Sequence, residues 1–159
     1  MLTQIKGLHH VTSLASGANE NNGFFTRTLG LRCVKKTVNF DAPEVYHLYY
    51  GDAAGTPGSV MTYFPFPNAR RGRPGAGEVS ETAFAVPRGA TAWWVDRLAQ
   101  HGVEGIQPQT RFGEARLRFN GPNGDGFRWS RLTITAPLGC RMESMMPMPF
   151  AGSIPRKCG

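Results

Sequence analysis

The feature that most constrains this chain is an internal repeat. A strand-like run, a helical run and three further strand-like runs occur once, and the same order begins again about 70 residues later. In the first copy, Gly7–Ala15 is rich in strand formers and stops at Ser16-Gly17. Asn19–Leu29 follows, with Phe24, Phe25 and Leu29 at helical spacing and Gly30 just past the end. A glycine there suits the left-handed residue that closes a helix. Leu31–Asn39, Val45–Tyr50 and Ser59–Phe64 read as strands, with turn formers at Gly51-Asp52 and Gly55-Thr56-Pro57-Gly58. In the second copy, Val79–Val86 is a strand ending at Pro87. Ala90–His101 is a helix with Trp93, Trp94, Val95, Leu98 and Ala99 on its apolar face, and Gly102 takes the part of Gly30. Pro108–Arg111 and Ala115–Phe119 read as strands, Asn120–Gly126 as a turn, and Phe127 opens a last strand. Pro65–Gly77, loaded with Pro, Gly and Arg, joins the copies.

Composition narrows the function classes. A chain of 159 residues suits one domain that buries roughly 70% of its unfolded surface. Twenty glycines and 12 prolines fit short strands joined by turns better than a helical bundle. No run of 18 apolar residues offers a membrane span, and Met1-Leu-Thr-Gln-Ile-Lys6 lacks the apolar core of a signal peptide. The expectation is a cytoplasmic protein without a membrane partner. The net charge of +7 invites a nucleic-acid reading. Its distribution argues against one: residues 128–159 hold five of the 18 basic and one of the 11 acidic side chains, over half of the excess in a fifth of the length. The basic run Arg70-Arg71-Gly72-Arg73 lies in the linker and reads first as a solvated loop. Cys33, Cys140 and Cys158 show no metal or disulfide spacing. Cys33, in an apolar strand pattern, is expected to be a small buried hydrophobe. No glycine-rich phosphate loop follows a strand, and there is no nucleophile elbow.

Five residues draw attention for their chemistry. His10 follows His9 in the first strand, where alternation points the two rings to opposite faces. From the residues alone, His10 reads more simply as a satisfied core histidine than as a metal ligand. His47 and Tyr49 alternate with Tyr46, Leu48 and Tyr50, so they share a face. They could orient a substrate hydroxyl or move a proton, or form a hydrogen-bonded pair on a half-buried sheet. Glu81 holds in the second copy roughly the place of His10 in the first. It is a competent ligand for iron, manganese or zinc, and reads more simply as an exposed strand carboxylate. His101, at a helix end, caps carbonyls or faces solvent.

The wording of the chain is closer to a known family than its element order alone. Gly7-Leu-His-His-Val-Thr12, Gly30-Leu-Arg-Cys-Val-Lys-Lys-Thr-Val-Asn-Phe-Asp41, Tyr46-His-Leu-Tyr-Tyr-Gly-Asp52, Gly55-Thr-Pro-Gly58, Thr62-Tyr-Phe-Pro65 and Asn120-Gly-Pro-Asn-Gly-Asp-Gly126 occur in that order. Residues 3–127 thereby resemble the N-terminal half of a ring-cleaving dioxygenase of the hydroquinone or catechol type. Those enzymes belong to the vicinal-oxygen-chelate (glyoxalase/bleomycin-resistance) superfamily. The resemblance implies an α+β fold of two βαβββ modules, about 5–66 and 78–127, forming curved mixed sheets each crossed by one helix. It also implies a divalent metal, usually Fe(II) and otherwise Mn or Zn, held by two His and one Glu. That facial triad leaves positions open for a dihydroxylated aromatic ring and dioxygen. His10 matches the family's first ligand, with Glu81 a local candidate for another; His47 and Tyr49 would stand near the substrate. A drug-sequestering or thioester-isomerising binding module of the same superfamily is an alternative, with Tyr46, Tyr49, Tyr63 and Phe64 as its aromatic lining. A non-functional fragment is a third.

Beyond Phe127 the resemblance stops. Arg128-Trp-Ser-Arg-Leu-Thr-Ile-Thr135 starts like a strand, and the segment that follows has neither helical nor strand period, so 128–159 is expected to be an irregular tail foreign to the family. The family pattern continues instead as Gly-Phe-Ala-Leu-Val-Glu, an acidic linker and a second half opening Arg-Gly-Phe-His, about doubling the length. The expected cause is a one-base deletion after the Phe127 codon. GC-rich codons can be chosen for the tail that, read one base earlier, spell that continuation as far as Arg-Gly-Phe-His. Without the second half, the chain is expected to bind catalytic metal weakly and to self-associate, a homodimer included.

Overall fold

The computed structural model describes residues 7–131 apart from Arg71 and Pro74. Met1–Lys6 and most of the proposed tail, with Cys140 and Cys158, lie outside the described residues. The first module comprises β1 (His10–Ala15), α1 (Ala18–Gly23), a π-helical turn (Phe24–Thr28), β2 (Arg32–Val38), β3 (Tyr46–Gly51) and β4 (Val60–Pro65). The second comprises β5 (Thr82–Val86), α2 (Thr91–Gln100), β6 (Gln107–Arg111), β7 (Glu114–Asn120) and β8 (Gly126–Arg131). Each closes into a four-stranded mixed sheet, ordered β1-β4-β3-β2 and β5-β8-β7-β6. First and last strands run parallel, and the other neighbours antiparallel. Gly30 and Gly102 have φ of 73° and 68°, the left-handed closures that their positions predicted.

The first helix departs from a regular α-helix. Leu29 N–H donates to the Phe24 carbonyl, five residues back, and Leu31 N–H to that of Phe25. A wider turn fits an extra residue into the helix, and Phe24 and Phe25 are both buried there. One core serves both modules. Phe25 stacks on Tyr50 (centroids 4.7 Å apart) and also meets Tyr63 and Phe127. Trp129 lies among Phe84, Trp94 and Phe119 at 4.8–5.2 Å. Such rings remove large apolar areas from water and add edge and stacking attraction. Trp129 belongs to β8, which runs to Arg131, so four residues beyond Phe127 join the sheet.

Polar ties fix the modules to one another. Arg97 of α2 donates from Nε to the Thr28 carbonyl (2.7 Å) and from Nη2 to that of Arg27 (2.6 Å), capping the end of the first helix with a cation. Tyr63 O–H donates to Asp125 (3.1 Å), and Ser16 N–H and O–H both donate to Asn123 Oδ1. The turn Asn120–Gly126 thus locks onto the first sheet. Two expectations are corrected. Cys33 is exposed, because β2 is an edge strand whose register with β3 shifts between Cys33 and Lys35. His9 and His10 do not point apart: their Nδ1 atoms lie 3.1 Å from each other. β1 begins only at His10, so strand alternation does not govern His9.

Candidate functional site

Alternation and register sort the first sheet into two faces. Val11 and Ala15 of β1, Leu48 and Tyr50 of β3, and Met61 and Tyr63 of β4 pack in or against the core. The opposite face carries His10, Thr12 and Leu14 from β1, His47 and Tyr49 from β3, and Thr62 and Phe64 from β4, brought side by side by the pairings Thr12–Thr62 and Tyr49–Thr62. The register shift in β2 sets Lys35 opposite Tyr49 and Thr37 opposite His47, adding both to that face.

The centre of this face is an imidazole between two rings. His47 lies 4.2 Å from the Tyr49 ring and 4.0 Å from that of Phe64. Its Nδ1 is 2.9 Å from the Tyr49 hydroxyl, and its Nε2 is buried without a partner among the described residues. Burial first, then the charges of His10 and Lys35, push the His47 pKa below its ordinary value. A neutral ring can accept the Tyr49 proton at Nδ1 and present N–H at Nε2. The Lys35 ammonium stands 5.5 Å from the Tyr49 ring centre. Thr62 O–H donates to Thr12 Oγ1 at 2.8 Å. The sequence paired His47 with Tyr49 correctly. It gave no sign of Thr12, Thr62 or Lys35, which a pairing register and a bulge put there. Of the four aromatics expected to line a cleft, Tyr49 and Phe64 share this face, whereas Tyr63 is fully buried in the core.

His10 and Glu81 are kept apart in their chemistry. His10 is exposed beside His9 on the first sheet. Glu81, one residue before β5, accepts from Arg118 Nε at 2.7 Å and lies 3.2 Å from Arg128 Nε. Among the described residues no three His, Cys, Asp or Glu side chains are grouped to hold a metal ion. With its carboxylate engaged by two guanidiniums, Glu81 does not fit beside His10 as a ligand, and these residues do not by themselves fit a three-ligand centre. The described residues also contain no helix long and apolar enough to cross a membrane.

No family model matches the chain. A Bacillus subtilis protein named as a ring-cleaving dioxygenase, MhqO, is 44% identical over 124 residues, 78% of this chain and 39% of its own length. The chlorohydroquinone/hydroquinone 1,2-dioxygenase of Sphingobium indicum is 39% identical over 127 residues, 78% of this chain and 40% of its own. A solved Bacillus subtilis structure named as a dioxygenase superposes with TM-score 0.76 at 42% identity, covering 79% of this chain and 40% of that one. A glyoxalase family protein from Enterococcus faecalis shares the fold at TM-score 0.63 and 20% identity, over 79% of this chain and 98% of its own. The chain has the fold of the vicinal-oxygen-chelate superfamily. Its two βαβββ modules are that superfamily's fold, and its homologues carry the names of ring-cleaving dioxygenases. The chain spans about two-fifths of the length of the curated relatives that it matches.

Proposed function

We propose that this chain is a two-module portion of a metal-dependent dioxygenase that opens a dihydroxylated aromatic ring, a cytoplasmic activity completed by residues outside the two modules. The observation that carries the reading is the His47–Tyr49–Phe64 cluster on the free face of a chain 44% identical to a protein named as a ring-cleaving dioxygenase. In this reading His10 is the chain's contribution to the metal centre, Fe(II) in preference to Mn or Zn, and the remaining ligands come from elsewhere. A bound metal would supply open positions for the ring's hydroxyl oxygen and for dioxygen, and a route for electron density between them. The chain's own part is on the substrate side: Phe64 offers a surface for an aromatic ring, and neutral His47, oriented by Tyr49, handles a hydroxyl proton. Residues 128–159 follow a shifted reading frame, and restoring it returns the missing half.

The test is oxygen uptake. Full-length protein with the restored frame, purified anaerobically and loaded with Fe(II), consumes dioxygen when given hydroquinones or catechols; no uptake with any of them overturns the assignment. The 159-residue chain should bind Fe(II) or Mn(II) only weakly in calorimetry. Binding at micromolar affinity or better, abolished by His10→Ala, would show that a complete centre exists here. A drug-sequestering module is the second reading, favoured by the incomplete ligand set among the described residues, and metal analysis of the full-length protein separates the two.

A further inference from the structure

The free face of the second sheet has a different chemistry, and it belongs to the 159-residue chain as it stands, because Arg128 and Ser130 lie in the segment that a restored frame would replace. Register sets Arg116 opposite Ser130 and Arg118 opposite Arg128, with Ala85 beside Ser130 and Ala83 beside Arg128. Four adjoining positions thus hold three guanidiniums and a hydroxyl, and the two alanines leave the sheet low on one side. Two carboxylates reach these arginines. Glu81 takes the Arg118 Nε–H, and lies 3.2 Å from Arg128 Nε without hydrogen-bonding geometry. Glu114 Oε2 stands 3.7 Å from Arg116 Nη2. Arg116 Nε, Arg128 Nε and Ser130 Oγ are buried with no hydrogen-bond partner among the described residues. Buried donors without an acceptor are costly, and although Glu81 and Glu114 lie near, these three atoms still lack a hydrogen-bond acceptor.

We propose that Arg116, Arg128 and Ser130 form a binding site for the carboxylate group of a small organic acid. A planar carboxylate has about four lone-pair positions and can accept from two guanidiniums and a hydroxyl together. The rigid fork of arginine suits that group better than a spherical ion. Three cationic side chains against two carboxylates keep the patch positive and repel a metal cation. Glu81 is here a positioning residue: it holds Arg118 down and competes for Arg128.

The test uses succinate as the probe and the 159-residue chain at low ionic strength. Calorimetry should show saturable binding of one succinate, and the Nε–Hε resonances of two arginines should shift in step with it. Arg116→Gln and Arg128→Gln should each weaken binding about tenfold or more, and Ser130→Ala about threefold, as losses of charge-assisted and neutral hydrogen bonds do. Glu81→Gln should tighten binding, because it removes the competing carboxylate. Unmoved arginine resonances at millimolar succinate overturn the proposal in the unsubstituted chain, whatever the variants' folding. Tighter binding of inorganic phosphate than of succinate overturns the carboxylate assignment.

Discussion

On the first sheet Leu48 faces Tyr63 and Tyr49 faces Thr62; on the second Leu117 faces Trp129 and Arg118 faces Arg128. Carried along the strands, this correspondence matches His47 with Arg116, Phe64 with Ser130, Thr12 with Ala83, and His10 with Glu81. The faces turned to the helices are apolar and aromatic in both modules, because each must bury that side against the shared core. The free faces have no such duty, and they diverge: rings and imidazoles on one, guanidiniums on the other. A repeated fold therefore does not repeat its chemistry. Glu81 stands where His10 stands, yet its neighbours make it an anchor for arginine.

The comparison breaks most readily in the core of the second module. Trp129→Ala should cost about 3–5 kcal/mol in urea unfolding, the usual loss for a fully buried large aromatic. A cost near zero would mean that β8 does not complete the second sheet as β4 completes the first. Next comes the coupling of the modules. Tyr63→Phe, which removes the hydroxyl bonded to Asp125, should cost about 1–2 kcal/mol by the same measurement. No change would leave the two sheets less tightly joined than their contacts indicate.

A smaller effect separates the free faces by pH. The folded His47 pKa lies below the ordinary 6.5, so the unfolded chain takes up its proton first as pH falls. Its contribution is fully present above pH 6.5 and is lost as pH drops through the folded value. Comparing urea midpoints at neutral and mildly acidic pH, the parent should lose more stability than His47→Gln; equal losses would show that burial does not depress this imidazole. The smallest effect is at the edge strand β2. Cys33→Ser should change stability by no more than about 0.5 kcal/mol, and Cys33 should react promptly with a thiol reagent in the folded chain. Slow reaction would return Cys33 to the core.

Much of the architecture was legible in the sequence. Strand formers, two helical stretches and the closing glycines Gly30 and Gly102 located every element within a few residues, because these signals are local. The wide turn at Phe24–Thr28 was not legible, since a π turn and an α turn share the same residue types. Nor was the exposure of Cys33, because an apolar run does not say whether its strand lies at the centre or the edge of a sheet. At the site, period-two alternation sufficed to pair His47 with Tyr49, within one strand. It failed for His9 and His10, which straddle the point where the strand begins.

By itself the sequence determined the order of elements, the two-module repeat and the residues eligible for chemistry, since backbone propensity and side-chain period act over a few neighbouring positions. Only the tertiary structure decided which of those residues meet. Strand order set Thr62 between Thr12 and Tyr49, and the bulge in β2 swung Lys35 to the same face. Pairing between β7 and β8 placed Arg118 and Arg128 together, within reach of Glu81. A carboxylate becomes a metal ligand or an ion-pair partner according to the charges packed around it. Here those charges come from strands more than thirty residues away.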